Sequence, residues 1–261
     1  MSDTPVPESP LPETPVPESP SPHVPSRGEL VAARIVALLE VIICSDYVTQ
    51  IAIGGTLGAF GFQPMTDGHL NVAFVVILSI GDAALLVALI LTMLYAHGER
   101  PGEVLFGRRP VAGEAVLGLP LIAAALLVAG TVILTIQHIA PSLHTVPDNP
   151  LQALLRSPRD AWLFALVVFV AGGFREELQR AFLLHRFDVW LGGPIVGVLV
   201  TSIGFGAGHL FQGVDAAITT GLLGAFWAVI YLRRRSAAAP IVSHAGFDLV
   251  QIVPYMLGRG V

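Results

Sequence analysis

The sequence predicts an all-α fold: a polytopic transmembrane helical bundle of seven spans, or eight if the first apolar stretch divides, behind a disordered proline-rich tail. Three observations predict it. Of the 261 residues, 54% are hydrophobic and 13% charged, against about 25% charged in an average soluble domain. Mean hydropathy over the whole chain is +0.73. Apolar stretches follow one another near 30–62, 70–96, 113–137, 161–184, 190–211, 214–232 and 238–257. Most reach the ~20 helical residues that cross a hydrocarbon core.

The tail comes first. The block TPVPESPLPE (4–13) is followed by TPVPESPSPH (14–23), and nine of the chain's 20 prolines lie before residue 27. Proline has no amide donor and a fixed φ, so residues 1–26 read as a disordered or polyproline II spacer. They lack the basic and apolar regions of a secretory signal. Residues 27–261 then form the membrane domain.

The 30–62 stretch is long enough for one tilted helix with a re-entrant piece, or for two short spans. Orientation follows from arginine, since all 14 basic residues are Arg and positive residues stay on the cytoplasmic side. Arg27 and Arg34, the 97–112 loop with Arg100, Arg108 and Arg109, Arg186, and the Arg233–Arg235 cluster alternate as a cytoplasmic N-terminus requires. Arg156 and Arg159 in the 138–160 loop run against this orientation but are outweighed by the Arg cluster.

Charge narrows the function classes. The net charge is −5, and without the acidic tail 14 Arg face 15 acids. Nucleic acid is excluded as a partner, because phosphate binding needs clustered positive charge. The partner that this composition requires is the lipid bilayer. The single cysteine, Cys44, excludes an intramolecular disulfide and a CxxC site, and in its apolar run it reads as a small buried hydrophobe.

Ionisable side chains within apolar helices are costly and need a partner or a wet cavity. Glu40, Asp46 and Asp82 occur singly in the early spans and read as helix-end or interfacial residues. The last third differs, with three polar clusters. In GGFREELQRAFLLHRF (172–187), Arg180 is four residues after Glu176 and three after Glu177, so either acid can pair with it. FGAGH (205–209) sets Phe205 one turn before His209. HAGFD (244–248) sets His244 and Asp248 one turn apart, where the carboxylate can accept a hydrogen bond from the imidazole. Burying all of these without a shared polar cavity would be very unfavourable. Gly172, Gly173, Gly204, Gly206, Gly208, Gly221 and Gly224 flank the clusters, where small residues let helices approach.

The order of a Glu-Glu/Arg motif, then FxxxH, then HxxxD resembles the CPBP intramembrane protease family, which includes CAAX prenyl proteases and bacteriocin-processing enzymes. The resemblance covers roughly residues 160–257. It assigns Glu176 and Glu177 to the acidic pair, Arg180 to the arginine, Phe205 and His209 to the second motif, and His244 and Asp248 to the third. One feature departs from the pattern. The usual first motif has three residues between acids and Arg, whereas EELQR has two. Anchored on Arg180 instead, Glu176 takes the second acidic position and Arg175 the first.

The resemblance implies an intramembrane endopeptidase acting on a protein or peptide, such as a prenylated CAAX tail or a bacteriocin precursor, with water activated by Glu and His. In that scheme Arg180 keeps the carboxylate ionised, Glu acts as general base, and His209 and His244 orient water or donate to the oxyanion. Asp248 holds His244. No cofactor is required; the zinc version of the scheme would use Glu176, His209 and His244, although no HExxH is present. Serine and aspartyl protease patterns fit poorly: Ser202 and Ser243 lack a nucleophile motif, and Asp82 has no evident partner. The competing readings are a non-catalytic immunity or binding relative and a proton-coupled transporter, in which Glu40, Asp46 and Asp82 would matter as much as the late motifs.

Overall fold

A computed structural model describes residues 25–66, 69–147 and 149–259. The TPVPESPLPE and TPVPESPSPH repeats, expected to be disordered, lie outside them. Helix α1 (Arg27–Ile43) opens on a capping box. The Ser26 hydroxyl accepts from the Glu29 amide and the Glu29 carboxylate accepts from the Ser26 amide, satisfying two donors that the first turn leaves free. The chain then breaks, and α2 (Tyr47–Ala59) starts behind Asp46, whose φ of 79° is rare for a residue with a side chain. The 30–62 stretch is thus two short helices.

One short antiparallel pair interrupts the expected all-α pattern. β1 (Met65–Thr66) pairs with β2 (His69–Leu70), with Met65 opposite Leu70. Asn71 caps α3 (Val72–Ala96), accepting from the amides of Ala73 and Phe74. Then follow α4 (Pro101–Phe106), α5 (Val111–Ile139) and, after two single 3-10 turns, α6 (Pro158–Val167). Ser157 caps α6 and Pro158 supplies a first helical residue that has no amide to satisfy.

From α6 the chain continues without a turn through a π-helical segment, Val168–Arg175, into α7 (Glu176–Trp190). The Glu176 amide reaches back five residues to the Ala171 carbonyl, the wider ring that defines this geometry. The remaining helices are α8 (Pro194–Gly208), α9 (Val214–Arg234) and α10 (Ala238–Met256).

Among the described residues, three stretches are long and apolar enough to cross a membrane by length and composition: Val72–Ala96, Pro101–Ile139 and Val214–Arg234. Pro194–Gly208 is a shorter apolar helix. The other stretches expected to span are broken or more polar, because α7 and α10 carry the ionisable clusters.

Helix α10 packs on α5, the π segment and α6, while α8 packs on α9. Glycine fixes two of these contacts. A Cβ at Gly173 would stand 2.4 Å from the Ala245 Cβ, and one at Gly206 would stand 2.6 Å from the Ala217 carbonyl oxygen. Either is far inside van der Waals contact, so these glycines are what let α10 and α9 come close. Gly204 has nothing near its Cβ direction and plays no such part. Phe182 and Leu184 of α7 are wholly buried against Leu86, Ile90 and Leu94 of α3. Phe164 and Val167 of α6 meet Ile252 of α10, and Ala125, Leu223 and Trp227 close the bundle on the other flank. The polar clusters lie between these apolar groups.

Candidate active site

The three polar clusters meet. Glu177, Arg180 and His244 are each buried to within a few per cent and share one set of bonds. Arg180 donates to Glu177 Oε1, and His244 Nδ1 lies 2.8 Å from the same oxygen. A carboxylate oxygen can only accept there, so Nδ1 carries the proton. Of the two helical spacings open to Arg180, the structure forms the shorter, to Glu177. Trp227 of α9 stacks on the His244 ring, with centroids 3.9 Å apart and planes at 17°. The Trp227 Nε1–H donates to the Ser243 hydroxyl at 3.1 Å. Phe205 meets the His244 ring edge-on and lies under the Arg180 guanidinium at 4.7 Å, a cation–π contact.

Glu176 has a different place. It lines a cavity of about 870 Å³ together with His209, His244, Asp248, Arg175 and Arg180, and Glu177 is not among the lining residues. His244 therefore stands between the two acids, its Nδ1 on Glu177 and its Nε2 3.9 Å from Glu176 Oε2. Asp248 Oδ2 lies 3.7 Å from the same Nε2, beyond hydrogen-bond length. The bond expected from the one-turn spacing is thus absent, and Glu177 holds the imidazole instead. His209 follows the last residue of α8, and its Nδ1 bonds to the Phe205 carbonyl at 2.8 Å. A carbonyl only accepts, so Nδ1 carries the hydrogen and Nε2 is left as an acceptor.

Helix α8 has 15 residues, about 22 Å at 1.5 Å per residue, and His209, just past its end, lines the same cavity as Glu176. The π segment acts on α7. An i→i+5 turn changes the angle at which the following residues project, and Arg175, Glu176 and Glu177 are the residues that follow.

Sequence reasoning missed three features. Trp227 lies in α9, a helix that carries none of the three polar clusters, yet it forms one wall of the His244 slot. Arg175 is buried at the end of the π segment and pairs with Asp46 at 2.8 Å, with Asp82 Oδ2 and Glu176 Oε1 each at 3.7 Å. Asp46, at the start of α2 as a helix-end residue, and Asp82, well inside α3, are therefore partners of one arginine rather than separate residues. The third residue of that reading, Glu40, bonds to Arg186 Nε at 2.5 Å and to His97 Nε2 at 2.7 Å. The signal for Asp46, Asp82 and Glu40 was an acid in an apolar run; no local pattern showed which cation each would meet.

Among the described residues no group of three or more His, Cys, Asp or Glu side chains is arranged to hold a metal ion.

Residues 158–250 match the family described as Rce1-like, type II CAAX prenyl endopeptidase. The match runs from the start of α6 into α10 and contains Glu176, Glu177, Arg180, His209, His244 and Asp248. It is the family that the motif order resembles, and it leaves α1 to α5 outside. No curated protein and no solved structure matches the chain.

Proposed function

We propose that this chain, with an Rce1-like segment at 158–250, is a multi-pass membrane endopeptidase. It hydrolyses a peptide bond in a lipidated or membrane-associated protein or peptide, a prenylated CAAX tail or a bacteriocin precursor. The protease core is 160–257, the domain is 27–261, the bundle crosses the bilayer seven times, or eight with α1 and α2 as separate spans, and the N-terminus is cytoplasmic. The observation that supports this best is the convergence of Glu176, His209, His244, Asp248 and Arg180 on one cavity, with Glu177 bonded to Arg180 and His244 behind it.

The roles follow from the two environments. Glu176 faces open space and is the general base. It takes a proton from water as the water oxygen bonds to the carbonyl carbon of the scissile amide. His209 Nε2 accepts the second hydrogen of that water and sets its angle. His244, with Glu177 on Nδ1 and the carboxylates of Glu176 and Asp248 near Nε2, acts as the imidazolium, so that Nε2–H points to the same space and donates to the oxyanion as it forms. Glu177 and Arg180 position His244. When the C–N bond breaks, the proton held by Glu176 passes to the leaving amine, giving an acid and an amine. No cofactor enters these steps.

The test is cleavage of a farnesylated, quenched-fluorescent CaaX peptide by the protein in liposomes. Glu176→Gln, His209→Ala and His244→Ala should each abolish it while the helical circular dichroism is kept. Cleavage that persists in all three would end the reading.

A further inference from the structure

The Rce1-like segment begins at residue 158, yet the residue before Glu176 is held from outside it. Arg175 closes the π segment and is 4% exposed. Its Nη1 meets Asp46 Oδ1 at 2.8 Å and donates to Gln179 Oε1 at 3.3 Å. Its Nε faces Asp82 Oδ2 and its Nη2 faces Glu176 Oε1, both at 3.7 Å. Gln179 is fixed in turn, donating to the Cys44 carbonyl at 2.7 Å. One guanidinium thus stands among three carboxylates, in direct contact with one and near the other two.

The two aspartates are placed for this at a cost. Asp46 sits at φ 79°, in the left-handed region, and makes no side-chain cap on α2. Its carboxylate is turned to Arg175 and to Gln50 Nε2, the latter at 2.6 Å. Asp82 lies within α3 at 1% exposure, and neither of its oxygens has a hydrogen-bond partner among the described residues. A buried carboxylate in that state is strongly unfavourable unless a cation is near, and Arg175 is the cation the structure brings to it.

We propose that Asp46 and Asp82 are positioning residues for the reaction: they hold Arg175 back from Glu176, so that the base is oriented by a nearby positive charge without being locked in a direct ion pair. This rests on the endopeptidase reading above. Glu176 Oε1 at 3.7 Å is close enough to feel the guanidinium and too far to be hydrogen-bonded by it. Without the pull of Asp46, the nearest other carboxylate that lines the cavity beside Arg175 is Glu176. The guanidinium would close on it and occupy the lone pairs that must take the proton from water. The N-terminal helices α1 to α3 are then part of the catalytic apparatus rather than a membrane anchor for it.

The experiment is steady-state cleavage of the farnesylated CaaX peptide in liposomes, with kcat and KM separated. Asp46→Asn should lower kcat about 100-fold, the scale of a misplaced reacting group, with KM held within about twofold. Asp46→Glu, which keeps the charge, should recover much of the loss. Asp82→Asn should lower kcat in the same sense. If Asp46→Asn does not fold, Arg175→Gln combined with Asp82→Asn keeps the local charge balance, and it should fold and still lose kcat. Unchanged kcat in these variants, with Glu176→Gln inactive, overturns the positioning role and leaves the endopeptidase reading standing. A loss in Asp46→Asn that Asp46→Glu does not recover, and that tracks a lowered melting temperature, also overturns it. Absence of cleavage by the wild-type chain overturns the endopeptidase reading itself, and this inference with it.

Discussion

Glu177 and His244 lie 67 positions apart in the chain and meet at 2.8 Å, on the side of the imidazole that faces away from Glu176. The adjacent acids therefore do different work. Glu176 is open to the cavity, whereas Glu177 is sealed with Arg180 and His244. Glu176→Gln should lower kcat by 10²- to 10⁴-fold, the usual contribution of a general base, and leave the melting temperature near that of the wild type. Glu177→Gln should lower both, because it weakens the partner of a buried guanidinium. Melting curves in detergent beside liposome kinetics separate the two; equal melting temperatures would show that Glu177 is not the sealed member.

Trp227 is 1% exposed and stacked on His244. Trp227→Ala should cost about 3–5 kcal/mol, as large aromatic truncations in cores do, and should free the His244 ring to turn. Trp227→Phe keeps a ring but loses the bond to Ser243, so it should be milder in stability. Denaturant titration in micelles measures both.

Gly173 lets α10 touch the π segment. Gly173→Ala would drive its Cβ to 2.4 Å from the Ala245 Cβ and should destabilise by about 1–3 kcal/mol, the range for overpacking. Gly204→Ala, with nothing within 4 Å, is the matched control and should be neutral. A melting comparison of the pair decides whether close approach is the reason for Gly173.

A second ionic group joins the helix ends near the 97–112 loop. Arg186, 1% exposed, binds Glu40 at 2.5 Å and Glu99 at 2.6 Å, and His185 Nε2 meets Glu99 at 2.5 Å. Arg186→Leu leaves Glu40 buried with only His97, and should cost about 3–5 kcal/mol, as breaking one side of a buried pair does. Thermal unfolding in detergent reads the loss.

Glu99 lies in the loop between α3 and α4. Burial raises its pKa, but the bonds from His185 and Arg186 outweigh burial, and the carboxyl sits below its ordinary value of 4.5. A lowered folded pKa means that its stabilisation is present above the unfolded pKa and is lost as pH falls through the folded one. The wild type should therefore lose stability relative to Glu99→Gln as pH falls from about 4.5 through the lowered folded value. Melting of both proteins across pH 3–8 checks the sign.

The three polar clusters were legible because each is an ionisable pattern inside an apolar helix, where polar groups stand out and must find company. Their meeting followed from cost alone. The pairing within them was less legible. Spacings of three and four both put an acid on the face of Arg180, and only the rotation of α7 chooses Glu177. The expected His244–Asp248 bond is also absent: Glu177, from another helix, holds Nδ1, and Asp248 stops 3.7 Å from Nε2. Asp46, Asp82 and Arg175 meet across some ninety positions or more, and nothing local in any of the three segments marks the contact. The π segment has no signature in periodicity, since it differs from α by one backbone bond.

That one bond has a consequence for how sequences of this kind are compared. In an α-helix each residue advances about 100° around the axis. Relaxation of 168–175 to ordinary α geometry with every residue kept would swing the side chains upstream of it by about that angle relative to α7, whereas removal of one residue with the relaxation would leave the two flanks nearly in register. Upstream residues would then face new neighbours without any change in the letters EELQR. Counting positions between charges is thus a poor ruler here: the distance that matters is measured around the barrel of the helix, and a loosened coil can reset it.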